Sequence, residues 1–309
     1  MSIDIIHPRQ QITCVLGMHR SGTSLIARII NMLGVYLGES DELLGHAYDN
    51  QAGFWEYKKF IKINDDILDY FGGKWDSPPE FPSNWERHAA IIELAKDTKK
   101  FIGQRFGKFD TWGWKDPRTS LTKPFWHMIL PAMRYIICLR NPLDVASSLG
   151  KREEFSFEKS INLWLIYLSS VLEHVKNSNF FIISYEDLME NWQQEVQRLS
   201  YFLGKNKQFE NSAIQNEIGE FIDKKLQHNF TPLTELINNQ GLPFETKAFY
   251  FVLRIFQSSL ASQQNKDISI KNIGDEICAL AGYLRKTQTW CDFKSNSKIR
   301  KFLDFLKIR

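Results

Sequence analysis

Cysteine is scarce in this chain, with four among 309 residues. Cys14, Cys138, Cys278 and Cys291 form no close pairs and lack the spacing of a metal site. A disulfide-built fold and a cysteine-ligated metal are therefore not expected. Reducing conditions suit unpaired thiols, so we expect a cytoplasmic protein.

Long apolar runs and charge of one sign are missing as well. No stretch approaches the roughly 18 to 20 apolar residues of a membrane-spanning helix, and residues 1–11 lack the apolar core of a signal peptide. The formal net charge is only +3, which does not indicate a general polyanion-binding surface. We therefore expect no integral membrane segment and no nucleic-acid partner.

What is present is an alternation of short apolar runs with amphipathic segments. Runs typical of buried strands begin at Ile12, Trp112, Tyr135 and Phe180. Helical patterns separate them near residues 25–33, 54–71, 85–106, 121–130 and 163–175. This alternation predicts an α/β fold, with a central parallel β-sheet flanked by helices on both faces.

The strand pattern disappears beyond about residue 232. Residues 246–262 and 272–289 have amphipathic helical patterns, and residues 296–309 are expected to form a basic helical tail. We predict a catalytic domain over residues 1–232. A helical C-terminal extension over residues 233–309 is expected to pack on that domain or to be continuous with it.

The first strand runs into the loop GMHRSGTS at residues 17–24, and a helix follows. A strand, a tight loop and a helix N-terminus present backbone N–H groups to an anion, above all a phosphate. An ATP or GTP loop requires a lysine directly before its hydroxyl residue. Here Arg20 precedes Ser21, so that kind of loop is not indicated; an ordinary capped turn is the alternative interpretation.

Two further motifs follow in order along the chain. A strand ends at Arg140, and Ser148 lies two turns into the next helix. Another strand runs into SYEDL at residues 184–188, which contains Tyr185. An arginine fork and a nearby hydroxyl suit a phosphate, although a surface ion pair at Arg140 and a solvent-facing Ser148 remain open.

In this order, the three motifs resemble those of the sulfotransferases that use 3'-phosphoadenosine 5'-phosphosulfate (PAPS), over about two thirds of the chain. The resemblance implies a P-loop-like fold of the bacterial type. It also implies transfer of a sulfuryl group from PAPS to an acceptor hydroxyl, with release of adenosine 3',5'-bisphosphate and no metal ion.

The resemblance assigns the donor site residue by residue. It implies that the loop holds the 5'-phosphosulfate, that Arg140 and Ser148 hold the 3'-phosphate, and that Tyr185 contacts the adenine. Arg20 is also expected to neutralise charge on the leaving phosphate. The loop residues so assigned are Gly17, His19, Arg20, Ser21, Gly22, Thr23 and Ser24.

Glu56 is the first candidate for the catalytic base that takes the acceptor's proton. Its surroundings, NQAGFWE at residues 50–56, resemble bacterial members of the family. A helix-start glutamate with a structural role is the alternative. The reserve candidates, Glu39, Asp41 and Glu42, lie where protein-tyrosine sulfotransferases carry their acid.

The stretch KDPR at residues 115–118 lies at a strand end, where cytosolic small-molecule sulfotransferases have a lysine and a histidine. The missing histidine argues against that branch and its phenol and steroid acceptors. Lys115 or Arg118 could hold the sulfonate oxygens. Asp116 could orient the cation, act as the base, or brace the strand end in a buried ion pair.

The acceptor implied by the bacterial resemblance is a carbohydrate or glycolipid hydroxyl. Trp55 and Trp75, near Gly- and Pro-rich loops, are candidates for stacking on a saccharide, whereas Trp112 and Trp114 are expected in the core. Two other functions stay open. A nucleotide kinase is disfavoured by the missing lysine; a non-catalytic nucleotide-binding module would keep the loop without the base.

Overall fold

The computed structural model describes residues 10–45, 53–175, 178–222 and 231–262. Within these ranges, four strands form one parallel sheet in the order β2-β1-β3-β4. The strands are β1 (Gln11–Gly17), β2 (Thr111–Lys115), β3 (Arg134–Leu139) and β4 (Asn179–Ser184). The predicted parallel sheet is confirmed, with each strand at the predicted apolar run.

Helices cover the sheet, and a short 3-10 helix spans Trp85–Arg87. In the described ranges the α-helices are α1 (Thr23–Met32), α2 (Lys58–Tyr70), α3 (Ala89–Phe106), α4 (Thr119–Ile129), α5 (Pro142–Glu153), α6 (Phe157–Val175), α7 (Tyr185–Glu190), α8 (Trp192–Leu203), α9 (Asn206–Phe209), α10 (Ser212–Phe221), α11 (Leu233–Asn238) and α12 (Phe244–Ser262).

The sheet has a hydrophobic core on each face. Because side chains alternate along a strand, Cys14 and Leu16 of β1 enter one core and Val15 enters the other. Helices α2 to α6 and α12 contribute to the first core, and helices α1 and α7 to α10 to the second. Burial on both faces explains why the strands have nearly continuous apolar sequences.

Two helices begin later than the sequence pattern predicts. The pattern starts at residue 54, but Tyr57 forms an antiparallel bridge with Leu43, and Leu44 N donates to Glu56 O at 2.7 Å. This pairing holds residues before Lys58 in an extended conformation. The helix predicted over 85–106 is interrupted at His88, whose backbone is extended, so that α3 starts at Ala89.

The helix predicted over residues 246–262 is confirmed as α12 (Phe244–Ser262), which packs into the first core. Phe249 and Tyr250 are buried in the first core, and Arg254 Nη2 lies 2.5 Å from Asp187 Oδ1 of α7. The helices predicted over 272–289 and 296–309 fall outside the described residues. The domain boundary at residue 232 stays a prediction.

All four strands end at the same edge of the sheet because they are parallel. In register, Gly17 of β1 pairs with Cys138 of β3, and Leu139 pairs with Ser184 of β4. Lys115 is the last residue of β2. The three sequence motifs and the KDPR stretch therefore meet at this carboxyl edge, where ligands bind in open α/β sheets.

Candidate active site

The loop after β1 is held tightly against its neighbours. Gly17 has φ +138°, and a Cβ there would lie 2.7 Å from the carbonyl oxygen of Cys138. Gly17 N donates to Ser120 Oγ at 3.0 Å, and Ser120 Oγ donates to Gly17 O at 3.2 Å. The start of the loop is therefore held by its close approach to β3 and by hydrogen bonds to α4.

The loop ends at Gly22, the N-cap of α1, with φ +85°. A Cβ at Gly22 would lie 2.6 Å from Tyr185 Cδ2, so only glycine allows the ring and the loop to approach this closely. Neither a side-chain cap nor a first-turn acid occupies the start of α1. Its backbone N–H groups and helix dipole can therefore serve an anion.

Three hydroxyl side chains lie at this helix start. Ser21 is buried, and its Oγ makes no hydrogen bond within the described part of the chain. Thr23 is buried as the first residue of α1, and Ser24 Oγ donates to Phe54 O at 3.3 Å. A buried hydroxyl without a hydrogen bond among the described residues, at the start of a helix, suits a phosphate ligand.

Arg20 joins the loop to the second motif. Its φ is +68°, in the left-handed region, and its Nε donates to Ser148 Oγ at 2.8 Å. Its carbonyl oxygen accepts a hydrogen bond of 2.8 Å from Arg140 Nη1. The residues predicted for the two phosphate groups are thus in direct contact with one another.

Arg140 also contacts Tyr185 of the third sequence motif. The Arg140 guanidinium carbon lies 4.1 Å from the centre of the Tyr185 ring, a cation–π contact. Burial raises the pKa of Tyr185, and the positive charge of Arg140 acts in the opposite direction. Arg140, Ser148 and Tyr185 therefore lie beside the loop.

His19 is a loop residue whose ring packs against two aromatic side chains. Its ring centre is 4.5 Å from that of Trp75 and 5.7 Å from that of Tyr167, and its Nε2 is buried without a hydrogen bond among the described residues. Burial lowers the pKa of His19, and the nearby cations, led by Arg118 and Lys115, lower it further. A neutral imidazole that can donate one hydrogen bond is the expected state.

Glu56 forms a buried ion pair with Lys115. Glu56 Oε1 and Lys115 Nζ are 2.5 Å apart, and the two residues are 5% and 1% exposed. Arg118 Nη1 lies 3.9 Å from the other oxygen of Glu56. The candidate base and the candidate sulfonate-binding cations are thus brought together at the end of β2.

Asp116 is fully buried, with both carboxylate oxygens engaged. Its Oδ1 accepts hydrogen bonds of 3.0 Å from the backbone N and from Nη1 of Arg118. Its Oδ2 accepts a bond of 2.8 Å from Asn64 Nδ2. Of the roles predicted for Asp116, orientation of a cation fits these contacts better than proton transfer.

The reserve acids have other partners. Glu42 accepts a two-pronged contact from Arg105, with Nε at 2.6 Å from Oε1 and Nη2 at 2.5 Å from Oε2. Glu39 Oε1 accepts a bond of 2.9 Å from Tyr36, and the carbonyl of Asp41 accepts from a lysine. The described contacts therefore link Glu42 to α3, Asp41 to the start of α2 and Glu39 to Tyr36, rather than to the loop at residues 17–24.

The four tryptophans singled out in the sequence divide as follows. Trp112 and Trp114 are fully buried in the core, as predicted. Trp55 lies under Arg28, 4.9 Å from its guanidinium carbon. Trp75 is half-buried beside His19 and Phe155. Trp75 thus contacts the loop through His19.

Two residues of the site went unnoticed in the sequence. Ser120 anchors Gly17 from α4, and no local motif distinguishes it from other serines. Asn64 holds Asp116 from α2. Asn64 could have been identified from the sequence, because it is a polar residue on the apolar face of α2 that Phe60, Ile63 and Ile67 form. Among the described residues, no group of three or more His, Cys, Asp or Glu could hold a metal ion.

Comparison with known proteins identifies the family of this chain. The model of the sulfotransferase family matches residues 13–208, which is more than half of the chain. The chain belongs to the sulfotransferase family. It is therefore a sulfotransferase enzyme that uses PAPS as the sulfuryl donor, as the sequence predicts.

Individual relatives are distant. A 3-alpha-hydroxysteroid sulfotransferase from Cavia porcellus is 22% identical over 201 residues, covering 53% of this chain and 70% of that protein. The structure of sulfotransferase STF9 from Mycobacterium avium has 13% identity and a TM-score of 0.45, covering 81% of this chain and 77% of its own. The sulfotransferase domain of the Synechococcus PCC 7002 olefin synthase has 16% identity and a TM-score of 0.45, with coverages of 83% and 97%.

Within the part of the chain that the structure describes, we find no helix whose length and apolar character would let it cross a bilayer.

Proposed function

We propose that this sulfotransferase acts on a carbohydrate or glycolipid hydroxyl, with Glu56 as the base and with donor contacts from the loop at residues 17–24, Arg140, Ser148 and Tyr185. The observation that carries the site assignment is the contact of Arg20 with both Arg140 and Ser148. It unites segments more than a hundred residues apart at one edge of the sheet.

On the donor side, the proposal divides the work among the loop, the two arginines and Tyr185. PAPS, when bound, supplies a sulfuryl group on a phosphate leaving group. The start of α1 and the hydroxyls of Ser21, Thr23 and Ser24 offer hydrogen bonds to a phosphate. Arg140 and Ser148 offer a fork and a hydroxyl to a second phosphate. Arg20 balances negative charge that grows in the transition state.

On the acceptor side, Glu56 takes the hydroxyl proton as the oxygen attacks sulfur. Lys115 and Arg118 orient this buried carboxylate before the acceptor arrives and supply the opposite charge without which its burial would be costly. The same two cations offer donors to sulfuryl oxygens. Neutral His19, which lies within the loop and near Lys115, can add one further donor.

The acceptor class rests on the aromatic side chains beside the loop. Trp75 and Phe155 are half-buried with ring centres 5.7 Å apart, and Trp75 contacts His19. An aromatic ring next to polar groups suits the apolar face and the hydroxyls of a sugar. The sequence KDPR lacks the histidine expected for steroid and phenol acceptors, although one relative is named for a 3-alpha-hydroxysteroid. The cytoplasmic location stays a prediction.

A thermal-shift panel tests the donor site. Adenosine 3',5'-bisphosphate should raise Tm more than AMP or ATP with Mg²⁺, because only the first carries the phosphate that Arg140 and Ser148 are proposed to bind. Equal shifts with AMP would remove these two residues from the donor site. A larger shift with ATP and Mg²⁺ would contradict the donor assignment.

A label-transfer panel tests the acceptor. Radiolabelled PAPS is incubated with octyl β-glucoside, a disaccharide and a 3α-hydroxysteroid, and the products are separated. Sulfation of the glycoside or disaccharide is expected. Exclusive sulfation of the steroid would overturn the acceptor class and leave the donor site intact.

A further inference from the structure

Asn64 of α2 is fully buried, and its side-chain amide has a complete set of hydrogen bonds. Its Nδ2 donates to Asp116 Oδ2 at 2.8 Å and to Thr119 Oγ1 at 3.0 Å. Its Oδ1 accepts from Thr122 Oγ1 at 2.6 Å and from Trp126 Nε1 at 2.8 Å. Both donors and both acceptor positions of the amide are used.

The orientation of this amide is fixed by chemistry. The indole nitrogen of Trp126 can only donate, so the atom facing it must be the oxygen of Asn64. The NH₂ group therefore faces Asp116, whose Oδ2 accepts a hydrogen bond from it. Reversal of the amide would set a donor against a donor at Trp126 and an acceptor against a carboxylate at Asp116.

The contact continues from Asp116 toward Glu56. Asp116 Oδ1 holds Arg118 at both the backbone N and Nη1, each at 3.0 Å. Arg118 Nε also forms an ion pair of 2.7 Å with Asp65, and Nη1 lies 3.9 Å from Glu56 Oε2. Because Asp116 and Asp65 both hold the Arg118 guanidinium, few other rotamers are open to this side chain. The distance from Arg118 to Glu56 therefore depends on the position of Asp116.

We propose that Asn64 is a positioning residue for sulfuryl transfer, which acts by holding Asp116 and thereby Arg118 beside Glu56. The inference rests on the proposed roles of Glu56 and Arg118. It assigns to α2 a part of the site that lies on neither the donor loop nor the KDPR stretch. A displacement of about 1 Å in a catalytic group can cost roughly 100-fold in rate, so the effect should be measurable.

The test is a double-mutant cycle with Asn64→Ala, Arg118→Ala and the double variant. Turnover is followed as release of adenosine 3',5'-bisphosphate from PAPS with octyl β-glucoside, a readout that includes transfer to water. Asn64→Ala should lower kcat by about 10-fold to 100-fold. Its Kd for adenosine 3',5'-bisphosphate should stay unchanged. In the Arg118→Ala background, the same change should have little further effect on kcat.

Thr122→Val is the matched structural control. It removes one hydrogen bond to the oxygen of Asn64, while Trp126 still fixes the amide, so Tm should fall and kcat should change little. If Asn64→Ala does not fold, Asn64→Ser, which keeps a polar group and leaves room for water, takes its place in the cycle.

The outcomes separate this inference from the proposed function. An equal loss of kcat on the wild-type and Arg118→Ala backgrounds would overturn positioning through Arg118. Full kcat in Asn64→Ala, alongside a large loss in Arg118→Ala, would overturn it as well. Full kcat in Arg118→Ala would contradict the role given to Arg118 under the proposed function, whatever Asn64→Ala does.

Discussion

Arg20 Nε donates a hydrogen bond of 2.8 Å to Ser148 Oγ across 128 positions of sequence. Arg20 belongs to the loop proposed for the 5'-phosphosulfate, whereas Ser148 belongs to the helix proposed for the 3'-phosphate. One hydrogen bond therefore couples the side chain that is proposed to stabilise the leaving phosphate to the residue that is proposed to recognise the nucleotide.

Ser148→Ala should lower both nucleotide affinity and turnover. It removes a hydroxyl from the proposed 3'-phosphate site and the partner that orients the Arg20 guanidinium. A hydrogen bond to a charged group contributes about 1.5 to 3 kcal/mol. Titration calorimetry with adenosine 3',5'-bisphosphate and a kcat measurement check the two effects.

The neighbouring Ser147 provides the control for this prediction. It lies on the same helix but is exposed. Ser147→Ala should retain affinity and kcat. A Ser148→Ala variant that behaves like Ser147→Ala would show that neither phosphate recognition nor Arg20 depends on this hydroxyl.

The sequence predicted the sheet and the donor motifs because these depend on local patterns. A buried parallel strand must be apolar on both faces, so the runs at Ile12 and Tyr135 were visible without tertiary information. The loop after β1 was visible because its glycines and hydroxyls lie next to one another in the chain. The expectation that Arg140 belongs to the same site as the loop came from the resemblance to the PAPS-dependent sulfotransferases.

The remaining parts of the site depend on contacts between distant segments. The pairing of Leu43 with Tyr57 delays the start of α2 and sets the backbone position of Glu56. The periodicity of apolar residues does not predict such a bridge. The ion pair of Glu56 with Lys115 joins residues 59 positions apart. A charged pair of this kind is invisible to patterns that report only burial and spacing.

Gly22→Ala should weaken nucleotide binding through Tyr185. The added Cβ would lie 2.6 Å from Tyr185 Cδ2, so the ring must move away from the loop and from Arg140. We expect a higher Kd for adenosine 3',5'-bisphosphate and a lower Tm. Calorimetry and thermal unfolding measure the two quantities.

Gly34→Ala is the control that separates the clash of a Cβ at residue 22 with Tyr185 from the strain of a left-handed backbone. Gly34 has φ +88°, close to the +85° of Gly22, but a Cβ there would meet nothing within 4 Å. Both variants should lose stability from the left-handed backbone, and only Gly22→Ala should lose affinity. An equal Kd in the two variants would contradict the proposed part of Tyr185 in the site.

Glu42 should make stability depend on pH in the acidic range. Hydrogen bonds from Arg105 lower the pKa of Glu42 to about 2, from an ordinary value of 4.5. Because the pKa is lower in the folded state, this stabilisation is complete above about pH 4.5 and is lost as pH falls toward about 2. The difference in unfolding free energy between wild type and Glu42→Gln should narrow over that interval. A constant difference would show that Glu42 is not ion-paired in solution.

Glu56→Gln should abolish most sulfuryl transfer, because it keeps the size of the side chain and removes the proton acceptor. A general base contributes about 10² to 10⁴ in rate, and a loss on that scale is expected. Affinity for adenosine 3',5'-bisphosphate should persist, since Glu56 is not part of the proposed PAPS site. Glu42→Gln is the matched control: it changes a glutamate that is held by a different arginine, so kcat should be retained.

The stability of Glu56→Gln distinguishes a catalytic role from a structural one. The substitution leaves Lys115, which is 1% exposed, without its carboxylate partner at 2.5 Å, so Tm should fall to some extent in either case. A folded variant that binds nucleotide but lacks turnover supports Glu56 as the base. Near-full turnover would transfer the role to another residue, with Asp116 tested first, followed by Glu39, Asp41 and His19. A variant that binds no nucleotide and unfolds would instead make Glu56 a structural partner of Lys115 and leave the base unassigned.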